Sequence, residues 1–193
     1  MSDHANHAAG AKTAKQNPPT LHDLEKMLDQ QPTPEDVCHK LAQILKVNRN
    51  EVALLRAEKG SLRFVFPAEL RAAGVIPLSG SAVAARTAAT RSPLLSNSFI
   101  RVKHVSLFES VRLGAAEGEG HDQMPIQKIM SVPAADPQGK VVGVLQISRK
   151  GLDASLSGAD FTGDDLKQLE RASTVIAKMP FMQEGAPLPE STN

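Results

Sequence analysis

At 193 residues and a formal net charge of +1, the chain is long enough for one domain with a real core and too near neutral for a generic polyanion partner. Six Phe with no Trp and no Tyr make that core aliphatic and leave no interleaved aromatics to stack on bases, so no nucleic-acid partner is expected. The single cysteine, Cys38, rules out an intramolecular disulfide and a cysteine metal cluster, and no apolar run approaches the ~20 residues of a membrane span.

The opening MSDHANHAAGAK lacks the apolar core of a signal peptide, so a cytoplasmic chain is expected, with no membrane partner. Residues 1–18 have no hydrophobic period and read as a disordered tail, in which His4 and His7 are solvated rather than metal-bound. Residues 19–33 carry a short amphipathic helix and a linker: Leu21, Leu24 and Leu28 make a stripe over 20–30, and Thr20 offers an N-cap. The domain proper is expected over 34–179. It opens with a helix over 34–46, where Thr33 caps, Pro34 suits the first helical position, and Glu35 and Asp36 favour the positive helix end. Val37, Leu41, Ile44 and Leu45 form its buried stripe, with Cys38 beside it as a small core residue.

Residues 51–57 and 62–66 read as strands joined by the turn Glu58-Lys59-Gly60-Ser61. A helical turn at 68–73 precedes Gly74, and Ser79 or Ser81 can cap a helix over 80–90. Pro93 starts a short strand, 94–97. Residues 98–125, with the acidic stretch Gly114–Gly120, read as a long loop, and such loops are usually functional or disordered. Then come strands 126–132 and 140–148, joined by Asp136-Pro137-Gln138-Gly139, with Pro133 ending the first. The second is apolar on both faces, Val141, Leu145 and Ile147 on one and Val142 and Val144 on the other, so it belongs mid-sheet. The last helix spans 163–179, with Thr162 and Asp165 in capping-box spacing; 180–193 reads as a disordered polar tail. Two adjacent apolar stripes on that helix, with the extra helix at 20–30, suggest a homodimer through the terminal helices.

The order of Pro133, Gly139, Gly143-Val144-Leu145-Gln146, Lys150 and Asp160-Phe161-Thr162, preceded by Gly80 and Leu94-Leu95-Ser96-Asn97, resembles the GAF domain over roughly 35–179. The resemblance implies an α+β, PAS-like fold: a central antiparallel sheet of five or six strands, helices 34–46 and 163–179 on one face, helix 80–90 and loop 98–125 on the other. It implies a small-molecule-sensing domain in signal transduction, without catalysis, with the loop closing over the ligand. A downstream signalling protein would then be the partner that carries the output. It also implies a structural ion pair between Lys150 and Asp165. The motif of the family's cyclic-nucleotide binders is half present: Lys150, Phe161 and Asp165 match, while Arg149 stands where Asn is expected and Leu166 where Glu is expected.

Catalytic and cofactor chemistry find little purchase. There is no G-x-S-x-G elbow, and relatives that reduce methionine sulfoxide rely on several cysteines. Relatives that carry a covalent chromophore need a cysteine in the pocket region, where 98–125 has none, so no cofactor is expected. Asp164-Asp165 suits a helix N-terminus, and Glu117 and Glu119 lie in a polar loop. His121 has no identified partner and reads as a surface or hydrogen-bonded histidine. Charge is the more informative pattern. From Gly80 to Arg112, five basic residues (Arg86, Arg91, Arg101, Lys103, Arg112) face one acid, Glu109. That suggests either a solvated face or a pocket for an anion such as a nucleotide. In the second reading Ser81 offers a hydroxyl beside a helix N-terminus, Asn97 reads a polar edge, Phe99 packs beside it, and Arg101 or His104 neutralises charge. The alternative is an interaction or dimerisation module with a vestigial pocket.

Overall fold

Two tight turns, both legible in the residues, set the sheet. The computed structural model describes residues 18–99 and 124–188. Lys59-Gly60, both at positive φ (44° and 79°), closes β1 (Val52–Glu58) onto β2 (Ser61–Phe66) as a two-residue hairpin. Asp136–Gly139 closes β5 (Ile126–Ala135) onto β6 (Val141–Lys150); Asp136 Oδ1 accepts from the N–H groups of Gln138 and Lys140, and Gly139 sits at φ 81°. With β3 (Val75–Pro77) and β4 (Leu94–Ser96) the strands form one antiparallel sheet in the order β3-β2-β1-β6-β5-β4. The fold is thus α+β with six strands.

Among the described residues four helices cover the sheet: α1 (Leu21–Lys26), α2 (Pro34–Leu45), α3 (Val83–Thr90) and α4 (Gly163–Ile176). Helices α1, α2 and α4 share one face, where Leu24, Val37, Leu41, Leu54, Met130, Leu145, Leu169 and Ile176 make the main core. Helix α3 covers the other face through Ala84, Ala85 and Ala88, packed on Leu55, Phe64 and Val144. The capping boxes form as spaced: Thr33 Oγ1 accepts from Asp36 N and Thr162 Oγ1 from Asp165 N, both at 3.1 Å. The stripe of α1 that suggested a dimer is used within the chain, with Leu24 buried and Leu21 and Leu28 packed on the main core.

Several sequence expectations need correction. Strand β5 runs through Pro133 to Ala135, because β4 pairs only with Ile129, Met130 and Ser131. Past that point β5 is an edge, where a proline's missing donor costs nothing. The alternation in β6 also slips: Ala134 faces Gly143 and Ala135 faces Val141, so Val142 bulges out of register and joins the main core, while Val141 packs on the other face. Helix α3 starts at Val83 with Ala82 as N-cap and no side-chain cap, so neither Ser79 nor Ser81 serves it. Residues 180–188 are not a free tail. Phe181 and Met182 are buried, and the Arg56 guanidinium donates to the carbonyls of Phe181 (2.7 Å) and Ala186 (2.9 Å). Residues 1–17 of the tail predicted at 1–18, residues 189–193 and most of loop 98–125 lie outside the described residues.

Arg56 is 4% exposed and pairs with Glu58, which also accepts from Arg63 (3.2 Å). Burial pushes the Glu58 carboxyl up, but the hydrogen bond and charge of Arg56, with Arg63 behind, outweigh it and hold it below its ordinary 4.5. A depressed folded-state value means the ionised pair stabilises the fold above the unfolded value and ceases to do so as pH falls through the folded one. Denaturation midpoints measured from about pH 6 to about pH 3 should therefore fall less steeply in Glu58→Gln than in the wild type.

A second test concerns Gly143, paired with Arg56 of β1. A Cβ there would overlap the Leu55 carbonyl oxygen and the Met182 Cε. Backbone cannot yield as a side chain does, so Gly143→Ala should cost at least the ~1–3 kcal/mol of ordinary overpacking. Gly163→Ala, with nothing near its Cβ, should be neutral or stabilising by about 0.4–1 kcal/mol. Urea titration compares the two.

Candidate functional site

The α3 face of the sheet has a polar interruption. Ser131 of β5 and Gln146 of β6 are register partners, and their side chains stand on the face that α3 covers. Thr87 comes down from α3 onto Ser131, the two hydroxyl oxygens 2.8 Å apart, and Gln146 Nε2 donates to Ser131 Oγ at 3.2 Å. All three are buried, Ser131 completely. Apolar clusters flank them: Ala53, Leu55, Phe64 and Val144 under α3, and Val83, Phe99, Ile126 and Ile129. Buried hydroxyls and an amide are stable there because they bond one another. The set is uncharged and offers both donors and acceptors, which suits a polar ring edge or a carbonyl between apolar walls.

None of these three is assigned to a site from the sequence, where Gln146 enters only within the motif Gly143-Val144-Leu145-Gln146. The signal was present: Ser131 and Gln146 are polar positions inside apolar strands, and Thr87 is the polar residue on the buried side of an Ala-rich helix. Of the residues named from sequence, Phe99 does lie in this neighbourhood, buried against Val83 and Ile129. Ser81 lies exposed, two residues before α3. Asn97 has a different employment: its Nδ2 donates to the Phe161 carbonyl (3.0 Å) and its Oδ1 accepts from the Phe161 N–H (2.9 Å), tying the end of β4 to the approach of α4. Arg86 and Arg91 are exposed, as the solvated-face reading expects. Arg101, Lys103, His104, Arg112 and His121 lie outside the described residues.

The same corner carries the charges. Lys128, 4% exposed, donates to the Gly158 carbonyl (2.6 Å) and pairs with Asp160 (2.8 Å). Lys150 Nζ donates to the Asn50 carbonyl (2.9 Å), and Asp165 accepts from the Thr162 N–H and hydroxyl, both at 2.7 Å. In these contacts Lys150 and Asp165 each bond other groups, and the pair that the resemblance implies is not among them. Cys38 is fully buried; burial, with Glu35 adding to it, pushes the thiol well above its ordinary 9.0, which keeps it protonated. Among the described residues no group of three or more His, Cys, Asp or Glu side chains could hold a metal, and no described helix is long and apolar enough to cross a membrane.

Asn97 supplies the test of this corner. Asn97→Ala strands a donor and an acceptor of Phe161, each worth about 1–3 kcal/mol if left unsatisfied. Guanidinium titration should show a clearly lower midpoint than for Ser98→Ala at the exposed next position. Equal midpoints would show that the clamp carries no weight.

A sequence model of the GAF domain family matches residues 33–178. No curated protein matches the chain. Among solved structures, the GAF domain from an Acinetobacter phosphoenolpyruvate-protein phosphotransferase superposes with a TM-score of 0.58 at 14% identity, over 82% of this chain and 89% of that one. The type II free methionine-R-sulfoxide reductase from Thermoplasma acidophilum gives 0.51 at 17%, over 81% and 94%. The free methionine-R-sulfoxide reductase from Neisseria meningitidis, in complex with its substrate, gives 0.52 at 15%, over 93% and 97%. At such identities the likeness is one of fold. It overturns one expectation nonetheless: the fold houses reductases, so absence of catalysis does not follow from it.

Proposed function

The chain belongs to the GAF domain family, and from that premise we propose that it senses a small polar ligand on the α3 face of its sheet and passes the signal to a partner protein. One observation carries this reading: the buried, uncharged set of Thr87, Ser131 and Gln146, lying between two apolar clusters. A face meant only for packing would be cheaper to build from aliphatic residues, since each buried polar group must find a partner. The ligand would enter that bond network through Gln146 and Ser131 and stack on Phe99. An anionic ligand, such as a nucleotide, would have its charge met by Arg101 or His104, with Ser81 at the rim.

The second reading, an interaction or dimerisation module with a vestigial pocket, has an observation of its own. The three polar groups already satisfy one another, and the walls beside them are filled, with Leu55 and Phe64 at 0% and 1% exposure. A thermal-shift panel of nucleotides and small organic acids separates the two. A ligand at a hundred times its Kd should add about 2.7 kcal/mol. Gln146→Leu keeps the volume and removes the amide, so it should abolish the shift and retain the fold. If nothing shifts the wild type, or Gln146→Leu responds unchanged, the sensing reading falls. Sedimentation at tens of micromolar would then examine the module reading, which expects a homodimer.

A further inference from the structure

A second cleft, of about 360 Å³, shares no lining with the polar trio. It opens where the C-terminal end of α2, the start of β1, the end of β6 and the loop 151–161 meet, and Lys46, Glu51, Arg149, Lys150, Leu156 and Gly158 line it. Three cations therefore face one carboxylate. That carboxylate is already engaged: Glu51 accepts from the N–H groups of Asn48 and Lys150, both at 2.8 Å.

Arg149 is the centre of the cleft's chemistry. Its guanidinium lies over the Phe161 ring at 4.8 Å, which fixes its plane. Nη1 reaches the Lys46 carbonyl at a long 3.4 Å, and Nε is buried with no partner among the described residues. Among the described residues no carboxylate pairs with Arg149, and those residues hold its charge in place through a ring and a carbonyl. Gly158, at φ 86°, passes close by; a Cβ there would stand 3.3 Å from Nη1, so only glycine leaves the fork uncrowded. A planar, fixed guanidinium with unused donors is the arrangement that takes an oxyanion in a paired bond.

The rim adds an apolar requirement. Leu156 lines the cleft and is 67% exposed, and Leu152 on the same loop is 71% exposed. Large hydrophobics so exposed, beside a fixed cation, fit a ligand with a charged head and a short apolar body. We propose that this cleft binds a small organic anion, a carboxylate or phosphate head on a short alkyl body, with Arg149 taking the head, Lys46 and Lys150 supplying field, and Leu156 covering the alkyl part.

Amide NMR of the full chain, titrated with hexanoate, hexyl phosphate and acetate at matched ionic strength, tests it. Hexanoate or hexyl phosphate should give saturable shifts at 46–51 and 149–158, on the order of tenfold tighter than acetate, as expected for partial burial of an alkyl chain. Lys46→Glu and Leu156→Ser change exposed positions and should keep the fold. Lys46→Glu should weaken both ligands; Leu156→Ser should remove their advantage over acetate. Arg149→Lys, which retains charge and loses the fork, should also weaken both. Which head binds tighter identifies the head group. Shifts that do not saturate, that sodium chloride reproduces, that map to α3 and β4 instead, or that persist unchanged in Lys46→Glu would each overturn the proposal.

Discussion

Strand β6 is the constraint on which the rest depends. It pairs with β1 on one edge and β5 on the other, and both its faces are covered. Leu145 and Ile147 enter the core beneath α1, α2 and α4, while Val144 meets α3. A strand so enclosed must have every backbone group paired, since none can turn to water. It must also stay thin where another chain segment approaches, and Gly143 meets that need against Leu55 and Met182. Burial of the C-terminal turn at 180–182 follows, because Met182 fills the space that a side chain at 143 would occupy.

The end of β6 then organises the opposite corner. Lys150 binds Asn50 and the buried Glu51, which joins the start of β1 to the end of the central strand. Arg149 stacks on Phe161, and Phe161 is held through its backbone by Asn97. Lys128 anchors Gly158 and Asp160 from the neighbouring strand. Each contact crosses many residues of chain, and together they place the loop 151–161 without regular structure of its own. Among the described residues Arg149 is fixed by one carbonyl and a ring, with no carboxylate on it. That separates it from Arg56, which is buried against Glu58 and serves only to fasten the C-terminal segment.

The two faces of the sheet divide the work. One carries the larger hydrophobic core, beneath α1, α2 and α4. The other is interrupted at Thr87, Ser131 and Gln146, where a polar network replaces close-packed methyls. Networks of this kind narrow which groups can approach, because any newcomer must match the donors and acceptors it displaces. Solved structures show a similar fold in a GAF domain of a phosphotransferase and in a free methionine-R-sulfoxide reductase. A shared fold does not fix function, so side-chain sets of this kind are where function has to be read.

The elements governed by local chemistry were legible in the residues alone. The turns at Lys59-Gly60 and Asp136–Gly139, the caps at Thr33 and Thr162, the apolar stripe of α2 and the two-faced character of β6 all follow from neighbours within a few positions. The order of short motifs along 35–179 was enough to indicate the family. What needed the tertiary structure were relations between distant segments. Pro133 is tolerated within β5 because β4 stops short of it, and Val142 leaves the alternation because of what stands across from it. Asn97 was assigned to a ligand from its position in the chain, and only the fold brings Phe161, far along the sequence, into reach of its amide. Ser131, Gln146 and Thr87 each look like an ordinary polar residue in sequence. They become a site because strand register and the seating of α3 put three buried polar groups within bonding distance, and no periodicity along one segment encodes that meeting.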